Sequence, residues 1–107
     1  MHVQENYYNQ LKSGLKTVEL RVNDEKRQSI KVGDTVIFKP QGFAQDALKM
    51  EVKNCIYAPS FDELLKQINE DALGSVSKIE QLVALNKFYE PEEVKVYGVL
   101  GMYLEAL

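Results

Sequence analysis

Leu15-Lys16-Thr17-Val18-Glu19-Leu20-Arg21-Val22 places three ionisable side chains on an otherwise alternating apolar run. Side chains of a strand point to opposite faces with period two. Val18, Leu20 and Val22 therefore share one face, and Thr17, Glu19 and Arg21 share the other. A carboxylate and a guanidinium sit side by side, with Lys16 joining them at the start of the strand. Such a cluster is either a solvated, ion-paired surface or a place where something binds.

Working outward, the segment before this strand, Val3 to Ser13, carries Val3, Tyr7, Tyr8 and Leu11 near helical spacing, with Gly14 as a stop. The polar run Asn23 to Arg27 ends the strand, taken as Lys16 to Val22. A second strand is expected in Ile30 to Phe38, fed by a Gly33-Asp34 turn and closed by Pro40. After a loop from Gln41 to Asp46, Ala47 to Tyr57 alternates, with Leu48, Met50, Val52 and Ile56 on one side and Lys49, Glu51, Lys53 and Cys55 on the other. These three strands are expected to form an antiparallel sheet.

The second half opens helical. Ser60 to Glu63 and Ser77 to Glu80 both have capping-box spacing. Phe61, Leu64, Leu65 and Ile68 would bury one face of the first helix, Gly74 interrupts, and Ile79, Leu82, Val83 and Leu85 would bury one face of the second. Pro91 ends that region. Val94 to Leu104 has strand composition, with Gly98 and Gly101 marking a bulge or a close backbone approach. The fold class is α+β, a small and mostly antiparallel β-barrel with flanking helices, the last strand curving sharply to close it. An open three-stranded sheet with helices on one face is the alternative.

The chain of 107 residues, 45% hydrophobic and 27% charged, supports one domain spanning 1–107. A single cysteine, Cys55, and a start without a basic, apolar leader predict a reducing, cytoplasmic setting. No apolar stretch approaches the roughly 20 residues that cross a bilayer. Net charge is −3, yet seven basic residues face four acidic ones between Lys12 and Lys39, leaving +3 there and −6 elsewhere. That asymmetry fits a basic face that holds a nucleotide or a short RNA segment without coating long duplexes, and equally an ordinary salt-bridged surface. His2 is the only histidine, so histidine-based triads and zinc sites of N/S composition have no material. With no phosphate loop or dinucleotide fingerprint, no cofactor is implied.

Three stretches together, Ser13 to Arg21, Ile30 to Phe38 and Tyr97-Gly98-Val99-Leu100-Gly101, resemble the ASCH domain of the PUA-like superfamily, in order and spacing along nearly the whole chain. The resemblance implies a β-barrel with an electropositive cleft beside the first strand that receives RNA or a modified nucleoside. It also implies possible chemistry, since some relatives are amidohydrolases acting on N4-acetylcytidine and one is described as a ribonuclease. In the amidohydrolases the catalytic set is a lysine, a threonine three residues later and a glutamate from the helical half. By position the lysine is Lys16, with Arg21 the arginine that follows; the threonine position holds Glu19, a departure from the pattern, while Thr17 points elsewhere on the pleat. The glutamate falls near Glu70 or Asp71.

Chemically, Glu19 is the candidate general base, and Lys16 and Arg21 are candidates to stabilise an oxyanion. The plain alternative is a Glu19–Arg21 ion pair on a polar sheet face. Lys16, Thr17, Glu19 and Arg21 form the candidate binding set. Lys26 and Arg27 are added as a phosphate clamp, and Tyr97 as a platform for a base. Tyr7 and Tyr8 read as helix packing residues and Cys55 as an inert thiol. A third role, a protein-interaction module using the acidic helical half, rests on the charge asymmetry alone.

Overall fold

The computed structural model describes residues 1–42 and 46–107. In chain order its elements are β1 (His2–Val3), α1 (Glu5–Ser13), β2 (Val18–Val22), β3 (Thr35–Pro40), β4 (Leu48–Ala58), α2 (Phe61–Leu65), a 3-10 turn (Glu70–Ala72), α3 (Lys78–Phe88), α4 (Pro91–Tyr97) and β5 (Val99–Ala106). The strands form one mixed sheet in the order β1-β3-β4-β5-β2. β1 runs parallel to β3, and every other pairing is antiparallel. The sheet curls until its two edges meet, where Arg21 of β2 donates from Nη2 to the His2 carbonyl of β1 at 3.0 Å. The result is a half-barrel whose seam is bridged by a side chain, flanked by helices in the manner of a PUA-like fold.

Register explains what lies on each face. Glu19 pairs with Met102 and Arg21 with Leu100, so the two charged side chains share a sheet face with those residues. That face holds one core cluster, built from Val3, Tyr8, Leu11, Phe38, Met50, Val52, Leu100 and Met102. The opposite face holds the other, where Val18, Leu20 and Val22 meet Phe61, Leu64, Leu65, Ile68 and Leu85. Both faces of β5 are therefore buried. Each fully enclosed large apolar side chain contributes about 1.5–3 kcal/mol over its exposed state. Glu19 and Arg21 lie where the first core meets the open seam.

Several expectations give way to long-range effects. The first strand does not pair with the next two; β5 inserts between β4 and β2. The helix starts at Glu5 rather than Val3, because His2 and Val3 form an edge strand against Lys39 and Pro40. The second strand begins only at Thr35, since Ile30 to Asp34 is taken up by a turn in which Asp34 accepts from the Lys31 N–H at 3.0 Å. The loop expected over Gln41 to Asp46 includes positions 43–45, which lie outside the described residues. Along β4 the alternation breaks at a bulge between Val52 and Asn54. Beyond it the faces exchange, so Cys55 packs with Met50 and Val52 while Ile56 joins the other cluster.

The last expected strand also divides. Pro91 at the first helical turn, with Glu92 and Glu93 beside it, favours a helix, so Val94 to Tyr97 belong to α4. Gly98 ends it at φ +69°, and a Cβ there would press the Ala58 carbonyl at 3.1 Å. On α3 the capping box at Ser77 and Glu80 forms, but the apolar face differs. Leu82 and Leu85 pack inward while Ile79 and Val83 stay exposed, because α3 packs chiefly against α2 and turns only that side to the second core.

Candidate functional site

Lys16 owes its place to a backbone clasp. Its N–H donates to the Gln10 carbonyl at 3.1 Å, the next N–H, of Thr17, donates to Ala72 at 2.9 Å, and Lys16 bridges Leu73. The Gln10 side chain locks the clasp, accepting from the Ser75 N–H at 3.0 Å and donating to the Ser75 hydroxyl at 2.9 Å. The lysine side chain is only 2% exposed. Its Nζ lies 5.2 Å from the centre of the Tyr7 ring, a cation–π distance. Among the described residues it has no hydrogen bond or ion pair. Burial pushes this ammonium below its ordinary value; Glu19 opposes that and Arg21 adds to it.

Glu19 is better satisfied. Its Oε1 accepts from the Leu20 N–H at 3.2 Å, and its Oε2 forms the ion pair with Arg21 at 3.2 Å. The same guanidinium nitrogen reaches the His2 carbonyl, so one arginine links the carboxylate to the far edge of the sheet. Both partners are largely enclosed, with side-chain exposures of 13% for Arg21 and 12% for Glu19.

These groups line a cavity of about 190 Å³ at the seam. It is lined by His2, Val3, Gln4 and Tyr7 from the start of the chain, Lys16, Glu19, Leu20 and Arg21 from β2 and just before it, Gln81, Ala84, Leu85, Phe88 and Tyr89 from α3 and its C-cap, and Gln41. The volume falls below the roughly 300–1,000 Å³ of drug-sized sites, which suits one small ring or head-group. Aromatic surface is plentiful. Phe88, exposed at the rim, meets Tyr89 edge-on with ring centres 4.8 Å apart, and Tyr89 stacks on Phe61 at 5.6 Å. Burial raises the Tyr89 phenol, and the nearby Arg21 and Arg27 draw it back down.

Of the residues expected from sequence, the fold brings Lys16, Glu19 and Arg21 to the cavity wall. Thr17 is half-buried and outside it, its carbonyl held by the Leu104 N–H at 2.8 Å. Lys26 is exposed on its turn, and Arg27 is held by Asp24 at 3.0 Å. Tyr97 sits at the end of α4, packed against the second core. Glu70 accepts from the Lys78 N–H at 2.9 Å and Asp71 is exposed, so neither faces the cavity. Tyr8 is a core residue whose hydroxyl donates to the Asp46 carbonyl at 2.6 Å, but Tyr7 lies over Lys16. Gln81, Phe88 and Tyr89 carry no sequence signal for this role, because only the docking of α3 on the β2 edge delivers them.

A buried cation and ion pair beside the first long strand, at the open seam of a curled sheet, prompt comparison with known proteins. The family model described as ASCH domain matches residues 1–105. The chain belongs to the ASCH domain family. Among solved structures, this ASCH domain is similar to hypothetical protein PH0355, with 35% identity, TM-score 0.82, and coverage of 100% of this chain and 96% of that one. It is also similar to protein PF0455 from Pyrococcus furiosus, with 35% identity, TM-score 0.74, and coverage of 100% and 94%. No curated protein matches. Among the described residues of this ASCH domain no helix is long and apolar enough to cross a membrane, and no cluster of three or more His, Cys, Asp or Glu could hold a metal ion.

Proposed function

We propose that the seam cavity binds a nucleoside-like ring, free or as one nucleotide of an RNA strand. The observation that carries this reading is the buried Lys16 residue on the cavity wall, whose ammonium makes no hydrogen bond or ion pair among the described residues. A buried, unpartnered charge costs several kcal/mol and persists where a ligand completes its coordination. Lys16 supplies a donor for a ring carbonyl, Glu19 an acceptor, and Tyr7, Phe88 and Tyr89 the stacking surface a base requires. Arg21 and the exposed basic residues on nearby turns would meet a phosphate. The setting this implies is a reducing, cytoplasmic one, where the Cys55 thiol stays free.

Titration with cytidine, N4-acetylcytidine and short single-stranded RNA tests the reading. Saturable, salt-sensitive binding that is lost in Lys16→Ala and weakened in Arg21→Ala supports it. Wild-type protein that binds none of these probes refutes it.

Lys16, Glu19 and Arg21 on one cavity wall favour one second reading, amide hydrolysis of an N4-acylated cytidine. In it Glu19 takes a proton from water as the water oxygen adds to the acyl carbon, and Lys16 and Arg21 stabilise the oxyanion. The carbon–N4 bond then breaks, N4 receives the proton, and cytidine and a carboxylic acid leave. Cytidine release abolished by Lys16→Ala would establish this; binding without turnover leaves the site a binder. Recovery of a single protein in pull-downs, with no nucleoside or RNA bound, would point to an interaction module.

A further inference from the structure

Of the eleven lysines, Lys16 alone is buried, yet its nitrogen stays open. Among the described residues the fully enclosed side-chain nitrogens and oxygens without a partner are Asn23 Oδ1, Arg27 Nε and Gln81 Oε1. Lys16 Nζ also lacks a partner and is not one of them, so the 2% of this residue that stays exposed includes the amine itself. The nitrogen lies 5.2 Å from the centre of the Tyr7 ring, which lines the same cavity. Backbone hydrogen bonds from Lys16 to Gln10 and from Thr17 to Ala72 fix the stem from which it projects.

The other ten lysines are exposed or half-buried. Lys53 pairs with Glu51 at 3.2 Å and Lys66 with Glu63 at 3.3 Å, and the hydrogen bond to each carboxylate raises the ammonium above its ordinary value. Lys16 is the opposite case. Burial lowers its ammonium and Arg21 adds to this, while Glu19, the one carboxylate lining the cavity, opposes it but is already engaged by Arg21 and the Leu20 N–H. A desolvated lysine near a second cation is the setting in which a free amine acts as a nucleophile toward carbonyl carbon.

We propose that Lys16 is a covalent site for a small planar aldehyde, a single ring bearing a formyl group, which enters the seam cavity and is captured by the amine as an imine. The nitrogen lone pair adds to the aldehyde carbon, and the carbonyl π pair moves to oxygen. Both protons of the amine pass to that oxygen, which leaves as water, and a carbon–nitrogen double bond remains. No oxidant or reductant enters the step. The cavity of about 190 Å³ holds one ring, and Tyr7, Phe88 and Tyr89 give that ring flat apolar surface. A protonated imine at the same nitrogen keeps the cation–π contact with Tyr7 that the ammonium makes. This goes beyond nucleoside binding and needs only the cavity and the amine.

The test treats the wild-type chain at pH 7 with pyridine-4-carbaldehyde and sodium cyanoborohydride, which fixes any imine as a secondary amine. Peptide mass mapping reads the label on each lysine, and separately on the terminal amine, which is reactive at this pH in its own right. Lys16 should carry about tenfold more label than the average of the other ten lysines. Denaturing urea should level all eleven, because the preference comes from the fold. Label on Lys16 no greater than on the exposed lysines overturns the proposal, and so does a preference that persists in urea. Formaldehyde in place of the ring aldehyde tests the part of the cavity: a Lys16 preference equally large with formaldehyde means a reactive amine without a ring site, and overturns the ligand class. Failure of cytidine or RNA to bind does not bear on this result, and evenly spread label does not bear on nucleoside binding, so the two readings fail separately.

Discussion

Replacing Lys16 by methionine should stabilise the fold while removing the donor in the cavity. The residue is 2% exposed, its ammonium lies over the Tyr7 ring, and methionine fills nearly the same space. Moving an ammonium into such a place costs several kcal/mol. Contact with Tyr7 at 5.2 Å returns about 0.5–2 kcal/mol, and Glu19 returns some more. The balance is unfavourable, since the ammonium loses its proton more readily here than at its ordinary 10.5. A net gain of about 1–3 kcal/mol for Lys16→Met at pH 7 follows, in line with apolar replacement of buried charges. That is a rise of roughly 4–8 °C in Tm per kcal/mol for a domain of this size.

The sign of the pH dependence is equally specific. Because the unfolded chain holds this proton more tightly than the folded one, wild-type stability from this group is present above 10.5 and lost as pH falls through the lower, folded value. The advantage of Lys16→Met should therefore be largest at neutral pH and shrink as pH is raised toward 10.5. Paired urea denaturations of the two chains at pH 7 and pH 10 read it directly, and the other titrating groups cancel in the difference. A Lys16→Met chain less stable than wild type at pH 7, or a gain that does not diminish at pH 10, would refute the reasoning.

Arg21→Ala removes the bridge between the sheet edges and leaves Glu19 enclosed without its cation, so chemical denaturation should show a loss of about 3 kcal/mol. Gly74→Ala introduces a side chain at φ +85° and drives its Cβ into the Gln10 side-chain oxygen; a loss of at least about 1–2 kcal/mol, read from the urea midpoint, is expected. Ser77→Ala opens the capping box of α3 and should cost about 1 kcal/mol in thermal melts. Ile79→Lys lies on an exposed position of the same helix, 77% accessible, and should stay within about 0.5 kcal/mol of wild type.

Much of the local structure was legible because it depends on spacing over a few residues. The stop at Gly14, the box at Ser77 and Glu80, and the shared face of Glu19 and Arg21 need only backbone periodicity and short-range hydrogen bonds. Val94 and Val96 misled, because β-branched composition suggested a strand where Pro91 and its acidic neighbours start a helix. The alternation of β4 misled beyond Lys53, because a bulge leaves no trace in a hydropathy pattern. Tyr7, Gln81, Phe88 and Tyr89 could not be assigned to the cavity, since each sits there only through packing against distant segments.

By itself, then, the order of residues determined that a carboxylate and a guanidinium would project together from one strand, with a lysine just before them, and which segments could pair or coil. Whether those charges met water or one another's counterparts was decided by the closing of the sheet. With β5 placed between β4 and β2, and His2 drawn alongside Lys39, the curl brought the two edges within reach of one arginine, and α3 roofed the gap. Periodicity is a property of neighbours a few residues apart, whereas enclosure needs surfaces far apart in the chain to exclude solvent from the same few side chains.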